Sequence, residues 1–163
     1  MEKNILKISL FTTIILFIIV MFFVNPLIDW NNWMWVLQLQ LAFGKNEAIE
    51  IIKKWGINWI QNFNKLIFID YIYALSYSIF FSSVLYKLLW KKWTKNIIIY
   101  LPFIAWLLDF LENTFELFFI NNPKNFSSIL FFIHSVLASF KWLILPIVIY
   151  FIMKYYFKNR KIV

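Results

Sequence analysis

Four apolar runs, each close to the length of a membrane crossing, constrain this chain more than any motif does. They fall at about residues 5–24, 66–90, 97–121 and 127–153. A hydrocarbon core of about 30 Å takes about 20 helical residues. Within it every backbone N–H and C=O must find a partner inside the protein, so each run is expected to be a helix. The composition agrees: 63% of the residues are hydrophobic, against about 45–50% in soluble domains. The chain reads as an all-α, polytopic membrane protein, a four-transmembrane-helix bundle forming one integral membrane domain over 1–163.

The first run follows Lys3 and Lys7, as a signal peptide would. It is long, however, and NPLIDW rather than a small-residue cleavage site comes next, so it reads as a span. Pro26 closes this run, and Pro123 marks the turn NNPKNF between the last two. Pro102 and Pro146 lie inside the third and fourth runs, where either could kink its helix.

The connection 25–65 carries structure of its own. NEAIEIIKKW, 46–55, reads as a short amphipathic helix. Asn46 is its expected N-cap and Gly56 its expected left-handed C′ residue. Glu47 and Glu50 start it and Lys53 and Lys54 end it, matching the helix dipole. Ala48, Ile51, Ile52, Trp55 and Trp59 share one side, suited to the outer interface or to capping the bundle. Residues 36–41, VLQLQL, alternate as a strand would, over too few residues to assign one.

Net charge is +8, from 15 Lys and one Arg against eight acids. In a soluble chain this would raise nucleic acid as a partner. Here the cations cluster at the ends of apolar runs, which makes them topology signals and contacts for membrane lipids instead. Lys3, Lys7, Lys87, Lys91, Lys92, Lys95, Lys154, Lys158, Arg160 and Lys161 fall on one side. Lys45, Lys53, Lys54, Lys65 and Lys124 fall on the other. The excess favours both termini on the cytoplasmic side. Trp30, Trp33, Trp35, Trp55, Trp59, Trp90 and Trp93 fall near run ends, as an aromatic belt requires.

The polar residues inside the runs are not scattered. At 100° per residue, Asp109, Glu112, Asn113 and Glu116 share one face of the third run with Ala105. On the second run Asp70, Tyr73 and Tyr77 share a face; on the fourth Ser127, His134 and Lys141 do. Carboxylates are costly in lipid, so these stripes must face the bundle interior. Depth suggests two layers. Lys141 meets Asp109 or Glu112 in the middle, with Tyr77 and Asn113 donating hydrogen bonds. His134 meets Asp70 or Glu116 in the outer half. Ala74, Ser78 and Ser82, and separately Ser135 and Ser139, provide small-xxx-small spacing for close helix approach.

Four carboxylates against one Lys and one His leave the charge unbalanced if all ionise. Either at least one acid keeps its proton, or a cation, a cationic ligand or water completes the set. No cofactor motif is present: there is no Gly-rich phosphate loop and no G-x-S-x-G. The absence of Cys excludes disulfides, thiolate nucleophiles and Cys-ligated metals. His134 reads as a structural histidine rather than a metal ligand. The chain lacks the paired Glu-x-x-His of di-iron bundles and the several His of a catalytic zinc site.

EAIEIIKKWG, FIDYIYALSY, LLDFLENT and FKW, in that order, resemble a family of small four-pass bacterial integral membrane proteins of uncharacterised function. The likeness spans most of the chain after residue 45 and is sharpest at Asp-x-x-Glu-Asn, 109–113. It implies a four-pass fold and no particular activity. In layout, though not in motif, the chain is also similar to the emopamil-binding and sigma-2 receptor superfamily, where acidic and aromatic residues line a lipid-ligand cavity.

The expected function is a buried polar site that binds or carries a proton, a cation or a small amphipathic ligand. Asp109, Glu112 and Lys141 form its centre, Tyr77 and Asn113 orient it, and Asp70, Glu116 and His134 line its entrance. Two other readings stay open. One is a membrane enzyme acting on a lipid or isoprenoid, with Glu112 or Asp109 as general acid or base. The other is a structural or partner-binding subunit, with a homo-oligomer or a partner subunit using the stripe for assembly.

Overall fold

The computed structural model describes residues 2–24, 35–89 and 97–160. Five α-helices account for nearly all of them: α1 (Glu2–Val24), α2 (Trp35–Gln40), α3 (Lys45–Leu89), α4 (Leu101–Asn121) and α5 (Ser128–Arg160), with a 3-10 turn (Ile97–Tyr100) leading into α4. No strand occurs among the described residues. Four of the elements are long and apolar enough to cross a membrane: α1, α3, the turn with α4, and α5. The chain is thus an all-α protein of the four-helix, multi-pass type. Pro26, Trp30, Trp33, Trp90, Trp93, Lys91, Lys92, Lys95 and Lys161, given roles above, lie outside the described residues.

Boundaries differ from the sequence expectations in instructive ways. VLQLQ, 36–40, belongs to α2 and not to a strand, and Leu41 follows in a turn. A six-residue alternation does not distinguish the two. The amphipathic helix exists, but it starts one residue earlier, with Ala48 N–H donating to Gly44 C=O at 3.0 Å, so Asn46 sits inside the first turn rather than capping it. Gly56 takes φ 73° and ψ 166°, an extended backbone of the wrong hand for any L residue, and not the left-handed helical C′ expected. The chain breaks there and immediately resumes as a helix over 57–89. Pro102 does not kink α4. It occupies the first turn, where its missing N–H costs nothing. Pro146 does lie within α5.

Helix α1 packs along α3, α3 along α4 and α5, and α4 along α5. The α1–α3 contact includes a hydrogen bond between Thr13 and Ser76 at 2.9 Å. Between the other helices, burial is stacked in three layers. At one end Ile51, Ile52, Trp55, Trp59 and Phe63 of α3 pack with Leu39, Phe119, Phe126 and Phe131. The predicted side of the amphipathic helix is therefore the buried one, and 45–55 caps the bundle. At the other end Leu85, Leu89, Ile99 and Val148 form a smaller apolar cluster. The polar residues lie between.

Apolar contact alone gives little drive for helix association in lipid, because the tails are as apolar as the side chains. Small residues therefore matter at the crossings. Ala74, Ser78, Ala105, Ser135 and Ala138 are almost completely buried. Ser82 donates to the Ile99 carbonyl at 2.9 Å and ties α3 to the turn before α4.

Candidate functional site

Helix α4 supplies the acidic face. Its buried residues include Ala105, Asp109, Glu112, Asn113 and Glu116, the stripe predicted from 100° spacing, while Leu107, Phe110, Leu111 and Phe118 are exposed toward the lipid side. Helix α5 brings His134 and Lys141 against that face, both buried. Helix α3 adds Asp70, partly buried, and the buried Tyr77. All eight residues singled out from the sequence face the interior of the bundle.

Two sublayers result. In the first, Lys141 Nζ donates to Asp109 Oδ1 at 2.8 Å. It also reaches Glu112 Oε2 at 2.7 Å, an ion-pair contact outside hydrogen-bond alignment. One ammonium thus holds two carboxylates, both alternatives that the sequence left open. Asn113 joins a third, its Nδ2 donating to Asp70 Oδ2 at 2.9 Å and more weakly to Asp109 Oδ2 at 3.5 Å. Asn113 thus bridges α3 and α4 within the cluster.

In the second sublayer, His134 Nε2 lies 3.5 Å from Glu116 Oε1. His134 therefore meets Glu116 and not Asp70, which Asn113 engages instead. The ring is held by Phe119 edge-on at 5.5 Å and by Phe131 at 5.2 Å between centroids. Glu112, Glu116 and His134 are 0% exposed. Both carboxylate oxygens of Glu116 and both ring nitrogens of His134 lack an aligned hydrogen bond. His134 thus contacts Glu116 while neither ring nitrogen makes an aligned hydrogen bond. An unpaired buried polar atom costs about 1–3 kcal/mol, and these are several at one place.

Two further expectations are corrected. Tyr77 donates to no member of the cluster; its hydroxyl is buried and unpaired, and its ring packs on Tyr73 at 5.5 Å. Ser127 is not part of the face. It caps α5, accepting from Leu130 N–H at 3.2 Å.

Gln40 was missed. Helix α2 buries it beside Glu116, and its Oε1 accepts from Trp142 Nε1 at 2.9 Å. A Gln within an apolar stretch was the available signal, but the short alternation at 36–41 directed attention to backbone type. A cleft of about 490 Å³ opens elsewhere, lined by Ile79, Ser82, Tyr86, Lys87 and Phe103 at the far end of α3, and contains none of the cluster.

The arrangement can hold positive charge. Four carboxylates, three of them buried and one partly so, converge with one ammonium and one imidazole. No family model, no curated protein and no solved structure matches the chain.

Proposed function

We propose that the chain is a bacterial inner-membrane protein, both termini cytoplasmic, whose buried cluster binds or carries a proton or another cation. The observation that carries this reading is the concentration of half of the protein's eight acidic residues around Lys141, with Glu112, Glu116 and His134 fully buried. Intramembrane ionisable residues are costly, by about 2.5–3.5 kcal/mol each at a helix centre, and persist where they mark an ion or ligand path. If all four carboxylates ionise, Lys141 compensates one of them. Full burial favours a proton or bare cation. A small amphipathic ligand would need the helices to part around His134 and Glu116. The resemblance to the four-pass bacterial family brings no activity with it.

The sidedness rests on the ten cations on the cytoplasmic side against five on the outer side. Impermeant labelling of single cysteines at Lys124 and Lys158 tests it: labelling of the second in intact cells contradicts it.

The binding reading is tested by thermal unfolding of the purified protein in detergent across a panel of protons, alkali and divalent cations and cationic amphiphiles. A ligand at 100 times its Kd should stabilise by about 2.7 kcal/mol. Glu112→Gln should abolish that stabilisation. A wild type that responds to nothing on the panel contradicts the proposal.

A further inference from the structure

We propose that Glu112, Glu116 and His134 form a binding site for one divalent first-row transition metal ion of the manganese-to-zinc series. This deepens the cation-binding reading and rests on it.

Three observations converge. Glu112 and Glu116 are one helical turn apart on α4 and therefore project side by side. His134 faces them from α5, and one donor atom from each of the three lies within 4.8 Å of the other two. Metal–nitrogen and metal–oxygen bonds of about 2.0–2.2 Å place neighbouring donors about 3.0–3.5 Å apart. The His134 Nε2 to Glu116 Oε1 separation, 3.5 Å, is already of that size.

The second observation is that donor atoms are left over in a buried place. All three side chains are fully buried; Lys141 engages Glu112 through Oε2 at 2.7 Å and Gln40 lies beside Glu116, while both ring nitrogens of His134 lack an aligned hydrogen bond. A metal ion satisfies an imidazole nitrogen and two carboxylates together, which no single protein donor present there does. Glu112 can serve both neighbours, since Lys141 approaches its Oε2 and leaves Oε1 free for the ion.

The third is charge. With four ionised carboxylates, Lys141 leaves three negative charges uncompensated, and a divalent ion removes two of them. One imidazole with two carboxylates, and no thiolate, selects against copper(I) and suits Mn²⁺, Fe²⁺, Co²⁺ or Zn²⁺. Phe119 and Phe131 fix the imidazole plane and Gln40 lies beside Glu116. Such outer groups orient the ligands of a metal site.

The test is titration of the tag-free, full-length protein in detergent with Co²⁺ alone, followed by visible absorption and by metal analysis after dialysis. One Co²⁺ per chain with ligand-field bands is expected. His134→Gln and the isosteric Glu116→Gln should each weaken binding by roughly a hundredfold or more, since even outer-shell partners cost 10–100-fold. Thr114→Ala, at an exposed hydroxyl bonded to Tyr71, should leave it unchanged. Should His134→Gln fail to fold, Glu116→Gln decides. Undiminished binding in a folded variant of either residue overturns the site. A wild type that binds no Co²⁺, Zn²⁺ or Mn²⁺ overturns it as well. If that protein is still stabilised by protons or alkali cations, the broader cation-binding reading survives, and if it is not, both fall.

Discussion

Lys141 is the residue on which the charged cluster depends. Its ammonium lies 2.8 Å from Asp109 and 2.7 Å from Glu112, so its loss strands two buried carboxylates at once. Breaking a buried ion pair from one side costs about 3–5 kcal/mol, more than the pair itself contributes relative to an apolar substitute. Lys141→Met is therefore expected to destabilise by about that amount in detergent unfolding. Adding Asp109→Asn should recover part of the loss, because one stranded charge is then gone. Single-residue pairings were only partly legible in the sequence. Seven-residue spacing put His134 and Lys141 on one face, but the rotation of α3 against α4 decides that Asp70 meets Asn113, and that of α5 against α4 that His134 meets Glu116. Tyr77 lies on the predicted face and still makes no bond, since a hydroxyl at the end of a rigid ring reaches only one point in space.

At the scale of elements, Gly56 separates the cap from the membrane helix. A Cβ at this position would meet no atom within 4 Å, so space is not what requires glycine. The backbone is: φ 73° with ψ 166° is a conformation essentially restricted to Gly. Gly56→Ala should lower stability by about 1–3 kcal/mol, read as a fall in unfolding temperature, and loosen the packing of Trp55 on Trp59, whose ring centroids are 3.5 Å apart. An unchanged unfolding temperature would contradict the role given to this break. Sequence located the glycine and the amphipathic side of 45–55 but ended the cap too decisively. Gln61, Asn62, Asn64 and Lys65 lower the apolar average of 57–65, so the span was expected to begin at 66. In the structure these residues continue the helix, with Trp59 and Phe63 buried beneath the cap. At about 1.5 Å per residue, 57–89 runs roughly 50 Å, well beyond a hydrocarbon core of about 30 Å. Polar residues near its start fit a helix that emerges from the bilayer.

The whole molecule is a polar layer clamped between two apolar ones. Aromatic packing closes the capped end through Phe63, Phe119 and Phe131. Leu85, Leu89 and Val148 close the other. The bundle architecture was readable because run length and facial polarity are properties of one helix at a time. The contribution of α2 was not, because Gln40 reaches Glu116 only through the path of a long connection. Enclosure makes the cluster's charge matter: acids packed this closely must share protons, bind a cation or water, or strain the bundle. If the acids are retained for binding, neutralising Glu112 removes an excess charge while Lys141 keeps its contact to Asp109. If they hold the helices together, the same change removes a structural tie. The most direct measurement is thermal unfolding of the wild type and Glu112→Gln side by side in the same detergent. A variant as stable as the wild type, or more so, is the predicted result, since retained function commonly costs stability. A variant that melts well below the wild type or aggregates would contradict the account, and would make the polar layer a structural network.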